Sequence, residues 1–262
     1  MKHVSELGAQ YEREGYVTAL SVLSEAELSA LRAGYDACVT EIGMEAAQYS
    51  LHNVHLQQAW VMEAAANPRV VSVMRDLLGP DVVLLDSRFI CKFPVAQVAG
   101  EGKPAPYVAW HQDIRYWGLD GGPVASMWLA LDDVDAENGV LTVIPGSHKQ
   151  GVLEHRVAQA PGNLLTANQE IPENLVDTTL AVQCPLRAGQ MSVHDGLTVH
   201  ASDPNFSQRR RCGLVVRYVP TCAHPSDDPD RPRKFPATVL ISGQDKFGHF
   251  EDHAPAFFNK VF

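Results

Sequence analysis

Trp110-His111-Gln112-Asp113 closes a run that begins at Tyr107 and reads as a β-strand. In a strand, residues i and i+2 point to the same face, so the His111 imidazole and the Asp113 carboxylate are expected to address one metal ion. A third ligand must come from elsewhere in the chain. His200, in Gly196-Leu197-Thr198-Val199-His200-Ala201-Ser202, stands at the end of another predicted strand and can supply it. Two histidines and one carboxylate on one face of Fe(II) leave the opposite face open for a bidentate cosubstrate and O2.

The surroundings of this stretch have the same β character. Residues 82–93, 107–111, 124–131, 140–144, 180–184, 190–194 and 212–219 are short apolar runs broken by Gly, Pro, Asn and Asp. That pattern predicts a sandwich or jelly roll. Between these runs, residues 154–177 are irregular and polar, long enough for an insertion or lid. Residues 221–236 are rich in proline and read as a surface loop before a last ordered piece at 239–241.

The first eighty residues read as helical. Ser24-Glu25-Ala26-Glu27 has the form of a capping box, and Leu28, Leu31 and Tyr35 follow at helical spacing. Asn67-Pro68 starts a second helix, Val70, Val71, Val73, Met74, Leu77 and Leu78 give it an apolar stripe, and Gly79-Pro80 stops it. A single domain is expected: a mostly helical flank over 1–80, a β core over 81–220 and an extension over 221–262.

Composition excludes several classes. The 262 residues are 45% hydrophobic and 20% charged, as in ordinary globular proteins. Against 31 acidic residues stand 21 Lys and Arg, a net charge of −10, so no basic field exists to attract nucleic acid or an anionic membrane. The 5 cysteines are widely spaced without a CxxC pair, which argues against a disulfide framework or a zinc cluster and fits a reducing cytosol. The acidic N-terminal stretch and the lack of any long apolar run signal neither secretion nor membrane spanning, so a cytoplasmic location is expected.

Arg211 opens the run 212–219, and its planar guanidinium fork suits the distal carboxylate of a dicarboxylic acid whose other end chelates the metal. Here the sequence resembles the phytanoyl-CoA dioxygenase (PhyH) family of Fe(II)- and 2-oxoglutarate-dependent oxygenases. The matching pieces are Trp110-His111-Gln112-Asp113 with Tyr116-Trp117, Met127-Trp128-Leu129-Ala130-Leu131, Asn138-Gly139, Val143-Ile144-Pro145-Gly146-Ser147-His148, and His200-Ala201-Ser202-Asp203-Pro204-Asn205 leading to Arg211. The resemblance implies a mainly β fold with flanking helices, a double-stranded β-helix of the jelly-roll, cupin-like kind. It implies Fe(II), 2-oxoglutarate and O2 as cofactors and cosubstrates, with His111, Asp113 and His200 as iron ligands. Arg211 and Ser202 match the pair that grips the 2-oxoglutarate carboxylate, and Trp128 matches an aromatic lining that pocket. Lys92 matches a frequent family lysine, expected to support the site without touching the reactants. Related halogenases carry a small residue in place of the ligand carboxylate, so Asp113 argues for oxygenation.

Other residues compete for roles. His148 reads as part of a Gly-Ser turn, and His194-Asp195, being adjacent on a strand, are not expected to point at one metal together. His52 and His55 are candidates for touching substrate, while Arg209 and Arg210 read as a solvated loop face. The substrate pocket is expected to be walled by Arg88, Tyr116 and Trp117, with residues 154–177 as a lid, mixing aromatic faces with an Arg for an anionic group. The expected substrate is a free small molecule, amino-acid-like or a specialised metabolite, that is hydroxylated with release of succinate and CO2. The alternatives are an acyl-CoA hydroxylase of the same mechanism and a zinc-type hydrolase on the same fold.

Overall fold

Strand pairing organises the residues that the computed structural model describes, 5–98, 104–116, 118–228 and 234–259. A six-stranded sheet has the order β1 (Tyr16–Ser21), β7 (Gln190–Asp195), β4 (Ala125–Ala130), β9 (Arg211–Pro220), β2 (Val82–Lys92) and β10 (Val239–Ser242). A four-stranded sheet has the order β3 (Val108–His111), β8 (His200–Ser202), β5 (Leu141–Val143) and β6 (Val182–Gln183). All neighbours in both sheets are antiparallel. This is the mainly β, double-stranded β-helix architecture expected from the sequence.

The larger sheet is buried on both faces, and β9 shows why its sequence does not alternate simply between apolar and polar. All 10 of its residues are buried. Cys212, Leu214, Val216 and Tyr218 point outward into a core shared with Met127 and Leu129 of β4 and Leu84, Phe89 and Cys91 of β2. Helix α1 (Glu6–Glu14) adds Tyr11 to that core, and α2 (Glu25–Ile42), α3 (Ala59–Ala65) and α4 (Pro68–Leu78) close it with Leu31, Tyr35, Val61, Met62, Val70 and Met74. Each such side chain contributes about 1.5–3 kcal/mol on burial. The inward face of β9 carries Arg211, Gly213, Val215 and Arg217 instead, and these look into the site.

Helix starts fall where local chemistry puts them. Both bonds of the Ser24/Glu27 capping box form at α2, and the Asn67 side chain accepts from Arg69 N ahead of Pro68 at α4. The region before residue 80 is not wholly helical, however. Tyr16–Ser21 is a strand at the edge of the larger sheet, pairing Tyr16 with His194. It is short and its neighbours on both sides are helical, so only pairing with β7 reveals it. The extension after residue 220 contributes β10, which pairs with β2.

Residues 154–177 also differ from a structureless lid. Arg156–Val157 pairs with Gln169–Glu170 as a short ribbon, and the segment is fastened along β3. Ile171 N donates to Trp110 O (2.7 Å), Leu164 N to Tyr107 O (2.8 Å), and Ala109 N to Asn163 Oδ1 (3.2 Å). Among the described residues no helix is long and apolar enough to cross a membrane.

His55 is a structural staple rather than a substrate contact. It is fully buried, its Nε2–H donates to Ala237 O (2.9 Å), and its Nδ1 accepts from the Ser87 hydroxyl (2.6 Å), tying the turn Val54–Leu56 to β2 and to the approach to β10. His55→Ala leaves the Ser87 hydroxyl buried without that partner, and a loss of at least about 1–3 kcal/mol is expected, read as a lower urea midpoint.

Candidate functional site

The two sheets meet at His111, Asp113 and His200. β3 ends at His111, which lies directly opposite His200 at the start of β8. The i, i+2 spacing predicted a strand running on to Asp113, but the strand stops at His111. The backbone turns there into a 3-10 segment, Asp113–Tyr116, and Asp113 arrives beside His111 through that turn. Gln112 fixes the turn: its fully buried amide donates to Gly151 O (2.8 Å) and Leu197 O (2.7 Å), and its Oε1 accepts from Leu153 N (2.8 Å). His200 likewise opens its strand instead of ending one.

One ligating atom from each of the three residues lies within 4.8 Å of the others, and all three side chains are buried. His111 Nε2 is 3.5 Å from Asp113 Oδ1. His111 Nδ1 donates to Ala109 O (2.9 Å) and His200 Nδ1 to Thr198 O (2.9 Å). Because a carbonyl only accepts, these bonds place the ring protons on Nδ1 and leave both Nε2 lone pairs free for a metal. The donor set therefore fits a divalent first-row metal such as Fe(II).

One row across the larger sheet surrounds Asp113. Strand register aligns His194 of β7, Ser126 of β4, Arg217 of β9 and Asp86 of β2 on the inner face. Ser126 Oγ donates to Asp113 Oδ2 (2.7 Å), His194 Nε2 lies 3.7 Å from the same oxygen, and Arg217 Nη2 is 3.6 Å from Oδ1. Arg217 Nη1 in turn bonds Asp86 Oδ1 (3.1 Å). Burial alone would push the Asp113 carboxyl up, but Arg217 first, and then the His111, His194 and His200 rings packed around it, outweigh it and hold the group well below the usual carboxylate range. His200 is held well below the ordinary imidazole value by burial and by its neighbours His111 and His194.

Sequence reasoning overlooked Arg217 and Ser126, although the i, i+2 spacing from Arg211 through Gly213 and Val215 puts Arg217 on the same face as Arg211. His194 was expected to lie in the core or support the site, and its ring centroid is 4.2 Å from that of His200. Asp195 points away, with its Oδ1 accepting from Leu197 N (2.8 Å).

On the inner face, Arg211 lies two rows from Arg88 and three from Arg217. It is 2% exposed, its Nε is buried without a hydrogen-bond partner, and its guanidinium carbon sits 4.2 Å from the Trp128 ring centroid. Burial pulls its pKa down to about 10. Gly213 makes the stacking possible: a Cβ there would lie 2.1 Å from the Trp128 ring. Opposite Arg211 stands Lys92, whose Nζ donates to Ser202 Oγ (2.6 Å), Ser202 O (2.9 Å) and Asp203 O (2.6 Å). With Ser202 Oγ accepting from Lys92, its hydroxyl proton is directed elsewhere. Burial, then Arg211, lowers the Lys92 pKa well below its ordinary value.

The remaining candidates separate clearly. Arg88 is on the inner face of β2, and Tyr49 lies over it with His52 alongside. His148 sits in a turn, its Nε2 donating to Glu12 O (3.2 Å). Arg209 pairs with Asp135 (2.8 Å) and Glu137 (3.2 Å), and Arg210 with Asp132 (2.8 Å) and Asp36 (2.5 Å), so neither is the freely solvated cation that the sequence suggested. Tyr116 ends the 3-10 segment, but its side chain and all of Trp117 lie outside the described residues. A groove of about 1150 Å³ between α2, α3 and α4 lies on the outer side and includes none of the three metal-site residues.

A jelly roll that gathers a His/Asp/His set beside a buried arginine is the architecture of non-haem iron, 2-oxoglutarate-dependent oxygenases. Within that class the chain belongs to the phytanoyl-CoA dioxygenase (PhyH) family, whose model matches residues 11–213. It is 28% identical over 250 residues to an L-proline trans-4-hydroxylase of Streptomyces griseoviridis, covering 84% of this chain and 89% of that one. It is 26% identical over 175 residues to a protein of Stutzerimonas stutzeri described as a probable alpha-ketoglutarate-dependent hypophosphite dioxygenase. That match covers 67% of this chain but only 58% of the relative's length. Among solved structures, the apo form of the non-heme monooxygenase ThoJ superposes with a TM-score of 0.77 at 27% identity, covering 96% of this chain and 89% of the other.

Ser126→Ala removes the hydroxyl that holds Asp113 Oδ2. Loss of such an outer partner costs about 10–100-fold in metal affinity, and titration of the apo protein with Fe(II) under anaerobic conditions measures it.

Proposed function

We propose that the chain oxidises a C–H bond of a free small molecule, using Fe(II) held by His111, Asp113 and His200 and 2-oxoglutarate gripped by Arg211 and Ser202. When bound, the iron and cosubstrate supply the oxidising chemistry, with succinate and CO2 as the by-products. The observation that carries this reading is the conjunction of three metal donors with a buried guanidinium on one inner face. Among the described residues no carboxylate lies within ion-pair reach of Arg211, and a dicarboxylic acid reaching from the metal provides one. A zinc hydrolase leaves that cation without a counter-ion.

Each protein group has a definable task. The Nδ1 bonds of His111 and His200 keep their rings in the metal-binding tautomer. Ser126, His194 and Arg217 orient the Asp113 carboxylate. Lys92 aims Ser202, and Trp128 forms an apolar wall that excludes water from the cosubstrate. Residues 154–177, fastened to β3, cover the side of the metal strand.

A free small molecule suits the electrostatics better than a CoA thioester. The pair Arg209, exposed, and Arg210, half-buried, is already neutralised by four carboxylates, and the chain carries a net charge of −10, so the described residues offer no built site for a polyphosphate. The relatives named for L-proline and hypophosphite act on molecules far smaller than a thioester of CoA.

Asp113→Ala is expected to lose stoichiometric iron and all turnover; retention of both would defeat the ligand assignment. Arg211→Ala removes a charge-assisted partner worth about 1.5–3 kcal/mol, so 2-oxoglutarate affinity should fall about tenfold or more, and Arg211→Lys should recover little. Calorimetry with 2-oxoglutarate on the metal-loaded protein reads both. Succinate release stimulated only by acyl-CoA thioesters would overturn the free-molecule reading.

A further inference from the structure

Arg88 occupies the inner face of β2, aligned by register with Val215, Trp128 and Ser192 and adjacent to the row that surrounds Asp113. Its Nη1 donates to the Tyr49 hydroxyl (2.5 Å), and its guanidinium carbon lies 5.3 Å from the Tyr49 ring centroid. Its Nε is buried and has no hydrogen-bond partner. Tyr49 is itself held in place: its hydroxyl is 3.3 Å from Thr166 Oγ1 of the segment covering β3, and the His52 ring meets its edge at 5.5 Å between centroids. Burial and the nearby Arg217 disfavour the Arg88 charge, Tyr49, Asp86 and Asp113 offset them only in part, and a guanidinium does not give up its proton in a protein.

The charges around Arg88 do not balance without a further anion. Arg217 has Asp86 and Asp113 beside it. On the oxygenase reading, the distal carboxylate of 2-oxoglutarate would match Arg211, and Asp113 with the cosubstrate's other carboxylate would offset the metal. Among the described residues no carboxylate lies within ion-pair reach of Arg88. A half-buried guanidinium whose Nε is buried without a partner gains from a ligand that brings the opposite charge, and its planar fork matches a carboxylate or similar oxyanion. One guanidinium flanked by a tyrosine accommodates one such group, not a chain of phosphates.

Resting on the oxygenase reading above, we propose that Arg88, braced by Tyr49 and Thr166, seats a single oxyanion of the primary substrate. The substrate class is therefore a compact acid, either a simple carboxylic acid or a zwitterion, rather than a neutral metabolite or an acyl-CoA.

The test uses the metal-loaded protein with 2-oxoglutarate under anaerobic conditions. A panel of free amino acids and hydroxy acids, each matched with its neutral carboxamide, is titrated by calorimetry; succinate formation is then measured in air. Acids are expected to bind at least about tenfold more tightly than their amides. Arg88→Gln should abolish that preference, Arg88→Lys should restore part of it, and Tyr49→Phe should weaken it several-fold while leaving the cation in place. Equal binding of acids and amides, an acid preference that survives in Arg88→Gln, or no binding by any acid of the panel would overturn the proposal. Binding of 2-oxoglutarate to the metal-loaded wild type is measured first. Its absence defeats the oxygenase reading itself, whereas its presence without a preference for acids defeats only the assignment of Arg88. Should Arg88→Gln fail to fold, Arg88→Lys and Tyr49→Phe still decide the outcome.

Discussion

A buried carboxylate is tolerated only where cations and donors converge on it, and the Asp113 side chain sets that requirement for the whole β core. Four strands of the larger sheet answer it in a single row: His194, Ser126, Arg217 and Asp86. Their registers cannot slip without moving a charged or polar group off the carboxylate, so the electrostatics of one residue and the pairing of the sheet constrain each other. The triad geometry follows from the same arrangement, because the 3-10 turn after His111 delivers Asp113 to that row and Gln112 locks the turn.

β9 unites stability and chemistry in one strand. Its outward residues make the core with the helices, and its inward residues present two arginines with Gly213 and Val215 between them. The small residue at 213 lets Trp128 lie against the backbone, and Trp128 in turn supports the Arg211 guanidinium. A change meant for the pocket therefore acts on the core as well, through a backbone with no solvent-exposed side.

The legible part of the molecule was the part written locally. The capping box at Ser24, the Asn67-Pro68 helix start and most strand runs depend on near neighbours, and they appear where the sequence put them. His111, Asp113 and His200 were legible because ligand chemistry restricts residue type, even though the strand spacing offered for the first pair was the wrong mechanism. What escaped depends on contacts between distant segments. β1 is a strand by virtue of β7, and Tyr49 matters only because β2 brings Arg88 beneath it. His55 was one of two candidates for touching substrate, and Ser87 and Ala237 instead satisfy both of its ring nitrogens.

The inner face of β2 and β9 gathers Arg88, Lys92, Arg211 and Arg217 on two paired strands, with only Asp86 opposing them from the same strands. An anionic cosubstrate seated on this face would relieve the crowding, so its binding would add to the stability of the fold. At a concentration one hundred times its dissociation constant, a ligand that binds only the folded state adds about 2.7 kcal/mol. The same occupancy lowers the population of opened chains on which proteases act.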